Sequence, residues 1–249
     1  MKNSKIAFFV ILLVIGSFLT CEINVLGIDD NWPESIRGCG EIVEIERDYQ
    51  DFHRIRVHNG FQVRITQSEE YSIVLHIDGN IEPYTNVVLQ GSTLEIYLDS
   101  RKSYSHVTLE ADITLPDVEK ITLSGASQAV ITGFDFDHNM ECTLSGASIL
   151  NGNLMTGNMD CQLSGGSRTT LVGSGENLDI NASGGSVIAF DEFSCGDADI
   201  QLSGGSIASL NSSGTISANL SGGSMLYYYH NPVMGNIKMS GGSRIEKKG

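Results

Sequence analysis

The chain is poor in charge, and poorer still in positive charge. Of its 249 residues 18% are charged, below the roughly 25% of an average soluble domain. Only 15 Lys and Arg stand against 30 Asp and Glu, a net charge of −15. Nucleic-acid binders draw their affinity from Lys and Arg on phosphates, so this balance argues against that class and against docking on anionic lipid. Five Cys are too few for a disulfide scaffold at this length. Long apolar runs are missing too: the one present, Ile6 to Leu19, holds fourteen uncharged residues. As a helix it would span roughly 21 Å, short of a ~30 Å hydrocarbon core. With 41% apolar residues the chain is neither a disordered tail nor a multi-span membrane protein. What it has in excess is glycine, 28 residues against 4 prolines.

The amino terminus reads as a targeting segment. Lys2 and Lys5 precede the apolar run, and Val25-Leu26-Gly27 offers small or modest residues at a cleavage site. The expectation is a signal peptide over residues 1–27, a short linker over 28–40 and a domain over 41–249, secreted or on a cell envelope. Removing residues 1–27 takes away two Lys and one Glu, which changes −15 to −16. Two alternatives are an uncleaved membrane anchor and lipid attachment at Cys21, although Phe18-Leu19-Thr20 matches a lipobox poorly.

A tetrapeptide Ser-Gly-(Ala/Gly)-Ser starts at Ser124, Ser145, Ser164, Ser183, Ser203, Ser221 and Ser240, at spacings of 21, 19, 19, 20, 18 and 19. Such regularity marks a stacked repeat. Before each motif the residues alternate with a period of two. Apolar side chains stand one and three positions ahead, as in Leu163 and Cys161 or Leu202 and Ile200, with polar ones between, as in Gln162 and Gln201. After it a second alternation places Ile188 and Phe190, or Ala208 and Leu210, on the same inner side. Each repeat thus holds two short strands and a Gly corner, too little chain for a βαβ unit. Equivalent strands must stack in parallel, ~4.8 Å apart. The expected fold is all-β, a single-stranded right-handed parallel β-helix (β-solenoid) with coils of 18–21 residues, right-handedness being the default for parallel crossovers. Asn139, Asn158 and Asn177 recur ahead of the motif, where Asn would tolerate a left-handed bend.

Residues 41–120 lack the tetrapeptide but are rich in strand patterns. Phe52 to Val57 and Phe61 to Ile65 alternate around His58-Asn59-Gly60, a tight-turn signal. This region reads as the first, less regular coils or as a capping layer, which a solenoid needs to protect its ends. Arg244-Ile245-Glu246-Lys247-Lys248 is charged as an edge should be.

Phe52-x-x-Ile55-x-Val57 followed by Val63-x-Ile65-x-Gln67, then Asp78-Gly79-Asn80-Ile81-Glu82-Pro83-Tyr84 and Gly91-Ser92-Thr93-Leu94-Glu95-Ile96, together with the Leu-Ser-Gly-Ala/Gly-Ser repeats, resemble the head GIN domain family, also called putative auto-transporter adhesin. The resemblance covers about residues 41–249. It implies one right-handed β-helix domain outside the cytoplasm, with no known enzyme activity and no established ligand. One departure from the family name is expected: an auto-transporter carries a membrane-spanning barrel, and no such segment is read in this sequence.

Residues for catalysis are sparse. Asp135, Asp137 and His138 form the nearest acid/base group, in a loop between coils, where a solvated turn with two Phe tucked in is the favoured reading. The six His show no metal-ligand spacing, no Gly-x-Ser-x-Gly elbow has partners at defined positions, and no phosphate-binding Gly-Lys-Ser/Thr loop occurs. Seven copies of Ser-Gly-x-Ser are architecture rather than nucleophiles. Cys142 and Cys161 share a register in adjacent coils. Their Cα atoms are expected ~4.8 Å apart, within disulfide range, but in-register side chains give a poor torsion, so two buried free thiols are expected. Cys39 and Cys195 lie in Gly-flanked loops; Asn181, Asn211 and Asn219 open Asn-x-Ser sequons.

One outward column stands apart. Four residues before the motif Ser come Lys120, Glu141, Asp160, Asp179, Asp199, Ser217 and Asn236. Glu141, Asp160, Asp179 and Asp199 thus form a row of carboxylates, flanked by an amide column of Gln162, Asn181, Gln201 and Asn219 that could form a ladder. Hard cations take such oxygen ligands, so weak Ca²⁺ binding is the metal expectation, against a plain solvated face; no other cofactor is expected. The expected function is non-catalytic binding or structural duty on an extracellular glycan or an envelope protein. A carbohydrate-active enzyme on the same scaffold is the alternative, and an ice-binding solenoid, which would want regular Thr columns, a third.

Overall fold

The computed structural model describes residues 35–248, so the expected signal peptide lies outside the described residues. Strands make up 60% of the chain, and the repeats wind into a β-solenoid of about six turns. Seven coils each place one strand before the corner and one after it, from Lys120–Leu123 and Gln128–Asp135 to Val233–Met239 and Arg244–Lys247. The strands before the corners build a ten-stranded sheet, those after them an eleven-stranded one.

Every repeat pairs in parallel with its neighbours, and the first sheet keeps register without a slip from Lys120 to Leu220: Met140 faces Met159, Asp160 faces Asp179, Ile180 faces Ile200. Differences in repeat length are taken up mostly after the corner, where the second sheet shifts register between Ile131 and Phe134, Thr170 and Gly173, and Phe190 and Ser194; the first sheet slips between Ile216 and Ala218, where it meets the last coil. The alternation read from the sequence is the burial pattern: Leu163, Ile180, Ile188, Phe190 and Leu210 are buried while Gln162 and Gln201 face solvent.

The corners explain the motif. The first glycine always takes positive φ; at Gly184 it is +76°, and a Cβ there would sit 2.5 Å from the Gly165 carbonyl oxygen of the coil below. The second glycine has room, since a Cβ on Gly185 would come no nearer than 3.9 Å to its neighbour. The closing serine turns inward and its hydroxyl donates to the carbonyl of the opening serine, at 2.7–2.9 Å in all seven corners. That bond satisfies a carbonyl the turn would otherwise leave bare.

The region before Lys120 is a cap of different construction. Arg54–Val57 and Gln62–Gln67 form a coil directly beneath the first repeat, with Val57 facing Leu123 and Gln62 facing Gln128. His58-Asn59-Gly60 is therefore an eighth corner in other letters, with Asn59 and Gly60 at φ +63° and +80°. Thr93–Leu98 and Leu109–Leu115, later in sequence, lie under that coil. Three antiparallel pairings then close the end: Ser72–Asp78 on Leu109–Leu115, Ile42–Glu46 on Ser72–Asp78, and Thr85–Gln90 on Thr93–Leu98. A short 3₁₀ turn, Gly79–Tyr84, joins the two sheets and buries Ile81. Within the segment read as a linker, Ser35–Arg37 pairs in parallel with Ser103–Ser105. No helix among the described residues is long and apolar enough to cross a membrane.

Candidate functional site: a carboxylate-lined groove

A groove of about 1070 Å³ runs across the coils along the leading ends of the ten-stranded sheet, from Arg54 and Glu119 in the cap to Thr215 and Ser217. The acidic column lines it beside Met140, Met159, Leu178 and Ala198, and the structure brings all four predicted residues, Glu141, Asp160, Asp179 and Asp199, into it. Parallel pairing sets each acid beside the next: Glu141 with Asp160, Asp160 with Asp179, Asp179 with Asp199.

The two ends of the groove differ in charge. At the cap end Arg54 holds Glu119 at 3.2 Å and Lys120 holds Glu141. Farther along, no Lys, Arg or His among the described residues pairs with Asp160, Asp179 or Asp199. Partial burial, and then the charges of Asp160 and Asp199 on either side, push the Asp179 carboxyl above the usual range. The four acids form a row along the solenoid, and no three His, Cys, Asp or Glu side chains among the described residues converge as a metal cage.

The rim is an amide ladder that the sequence reading assigned differently. Asn139, Asn158 and Asn177 are absent from the left-handed region. Asn158 donates through Nδ2 to Asn139 Oδ1 at 3.1 Å, and Asn177 through Nδ2 to Asn158 Oδ1 at 2.9 Å. Asn177 Oδ1 accepts the Asp197 N–H, and Asp197 Oδ1 accepts the Thr215 N–H at 2.7 Å, so one chain of hydrogen bonds runs the length of the rim. The ladder thus forms beside the acidic column, two positions before it, and not in the Gln162, Asn181, Gln201, Asn219 column. A stack of identical Asn at nearly constant spacing was the available signal: in parallel register each amide donates to the one below.

Of the acid/base group Asp135, Asp137 and His138, only His138 reaches the groove. Its ring stacks on Phe136 at 4.1 Å, and its Nε2 lies 2.7 Å from Asp117 Oδ1. Burial lowers the His138 pKa, but contact with the Asn139 carbonyl and with Asp117 outweighs it, and the net shift is upward. Asp135 and Asp137 point to solvent. The imidazole is thus a bound wall residue, apart from any second free acid. Cys195, expected in a loop, ends the strand Val187–Cys195 and is buried, which pushes its thiol up to about 11.

Solved structures share this architecture. A putative adhesin from Bacteroides fragilis NCTC 9343 superposes with a TM-score of 0.81 at 17% identity, over 86% of this chain and 100% of its own. A putative lipid binding protein from Parabacteroides distasonis ATCC 8503 gives 0.73 at 18%, over 87% and 100%, and a putative adhesin from Parabacteroides merdae ATCC 43184 gives 0.68 at 16%, over 87% and 100%. At these identities the likeness establishes the fold. No curated protein matches the chain. Most of the cap, six of the seven repeat corners and the acidic column fall within one family signature, which matches residues 51–232: the chain belongs to the family described as putative auto-transporter adhesin, head GIN domain.

Proposed function

We propose that this chain is an extracytoplasmic, adhesin-like binding protein whose groove takes an extended, hydroxyl-rich glycan without acidic groups. The observation that carries the reading is the groove itself. It crosses successive coils, four of which repeat a carboxylate in it while an amide or carboxylate repeats on the rim, ~4.8 Å apart. A row of acceptors and donors at constant spacing suits a polymer that presents hydroxyls at intervals. The uncompensated acids repel sulfated or uronic chains, as they would an anionic lipid headgroup, although Met140, Met159, Leu178 and Ala198 also line the groove. The names of the family and its neighbours support an adhesin-like role and a place outside the cytoplasm. Export by a cleaved leader accords with the sequence, and mass spectrometry of the exported protein should find a start near Ile28.

Cleavage of the same polymer is a second reading with one observation in its favour. Asp179 holds its proton more tightly than an ordinary carboxyl between two acids, as a general acid would. A glycan array combined with a reducing-sugar assay separates the two. The binding reading expects retention of neutral glycans, loss of retention in Asp160→Asn plus Asp179→Asn, and no new reducing ends. Release of reducing ends makes the protein an enzyme; retention of acidic glycans, or retention unchanged in the variant, removes the groove from the function.

A further inference from the structure

Cys142 and Cys161 face each other in adjacent coils, in a core column otherwise held by Ile121, Ile180 and Ile200. Both side chains are fully buried. Their sulfurs lie 2.9 Å apart, closer than non-bonded sulfurs ordinarily pack. Parallel stacking puts the two Cα atoms ~4.8 Å apart, inside the range a disulfide spans. In-register side chains would normally project side by side; at 2.9 Å the two sulfurs have turned toward each other. No other pair of cysteines is poised this way among the described residues: Cys39 is exposed, and Cys195 Sγ is directed to the Asn211 carbonyl.

We propose that in the exported protein Cys142 and Cys161 are joined by an inter-coil disulfide, a covalent staple between the coils of the Ser145 and Ser164 corners. The bond closes a loop of 19 residues, one turn of the solenoid. Its formation breaks two S–H bonds and makes one S–S bond. The two electrons and two protons pass to a small-molecule or protein disulfide of the oxidising compartment, which leaves as two thiols through a mixed-disulfide intermediate.

The same burial fixes when this can happen. Exchange requires a thiolate that a second disulfide can reach. In the folded solenoid neither sulfur is exposed, and burial first, then the contact with Cys142, keeps the Cys161 thiol protonated. The bond therefore forms before the coils close over it, and once sealed it resists both oxidant and reductant. It is a permanent record of the compartment in which the chain folded rather than a switch.

The test is differential alkylation of protein recovered from an oxidising extracytoplasmic compartment. Iodoacetamide in denaturant without reductant should leave Cys142 and Cys161 unmodified, and peptide mapping should find them linked, lighter by two hydrogens than the two thiol peptides. Native protein held in a thiol reductant should keep the link, losing it at the rate of unfolding. Refolding under reductant should lower Tm by about 5–10 °C, and Cys142→Ala plus Cys161→Ala should have one Tm with and without reductant. Alkylation of both cysteines in denaturant without reductant overturns the staple. Rapid reduction of the link while the fold stays intact overturns its sealing. Both readings use wild-type protein and stand even where the double variant does not fold.

Discussion

The cap and the repeats handle charge in opposite ways. In the cap, strands of unlike sequence meet, and outward acids on the stacked strands find cations: Arg64 Nη2 lies 2.7 Å from Asp112, His76 reaches the same carboxylate at 3.1 Å, and Arg56 approaches Glu95 at 3.6 Å. In the repeats, near-identical coils stack in parallel register, so like faces like. Asp160, Asp179 and Asp199 stand in line, and Asn139, Asn158 and Asn177 beside them. A parallel in-register stack copies whatever a column holds. That helps amides, whose donors and acceptors interlock, and apolar residues, but it works against carboxylates. The retention of an acidic column in such a setting is the reason to look for function there.

Four experiments can break or sharpen this contrast. The largest effect is expected inside the repeats. Leu163→Asp buries an unpaired carboxylate at a position 3% exposed and should cost several kcal/mol, whereas Gln162→Asp on the outer face should cost roughly half a kcal/mol. Equal losses of Tm would mean that the columns are not those described. Next comes the corner. Gly184→Ala forces a Cβ into left-handed backbone against the Gly165 carbonyl and should cost about 2 kcal/mol or more; Gly185→Ala should cost less than about 1 kcal/mol. Denaturant midpoints of the two variants in the wrong order would refute the corner geometry.

The third experiment sets the two regions against each other in acid. Asp78 in the cap is 1% exposed and accepts the Thr108 N–H at 2.7 Å and the Gly40 N–H at 2.5 Å, which holds its carboxyl below the usual range. Its stabilising contribution is complete above the ordinary carboxylate pKa near 4 and is lost as pH falls through its own depressed value. Asp179 has the opposite sign: its raised pKa means that protonation relieves the groove as pH drops into the carboxylate range. Asp78→Asn should therefore destabilise at neutral pH and flatten the acid limb of the stability curve, and Asp179→Asn should stabilise at neutral pH and steepen it. Identical pH profiles for the two variants would deny the contrast.

The smallest effect is ionic. At low salt, Asp160→Asn plus Asp179→Asn should raise Tm by a few degrees, an advantage that salt screening erases. The same pair tests the metal expectation: a rise in wild-type Tm at millimolar Ca²⁺ that the double variant lacks would assign the ion to the column. A calcium response of equal size in both would place the ion elsewhere, and none in either would leave the column a solvated row.

The repeats were legible because their physics is local and periodic. Ser124 to Ser240 set the corners, and the alternation around Leu163 and Ile180 set the faces and the acidic column. The cap was legible only as strand-rich, since its order comes from long-range pairing: Thr93–Leu98 follows Arg54–Val57 in sequence yet lies beneath it. His58-Asn59-Gly60 was legible as a tight turn, but its composition hid that it is a corner of the stack, although Val57 and Gln62 stand as far apart as Leu123 and Gln128, and that equal spacing is the signal. The Asn ladder was misjudged because Asn serves both left-handed turns and side-chain stacks, and which one prevails depends on whether a neighbour stands below to accept the bond.

The absorption of unequal repeat lengths behind the corner has a consequence for growth. Because the groove sheet holds register from Lys120 to Leu220 while the second sheet takes up the slips over that span, a gene that gains or loses a whole repeat there leaves the groove columns aligned. Recognition length in this architecture is then a counted quantity, quantised in coils, and relatives could lengthen or shorten their grip on a polymer without redesigning a single contact.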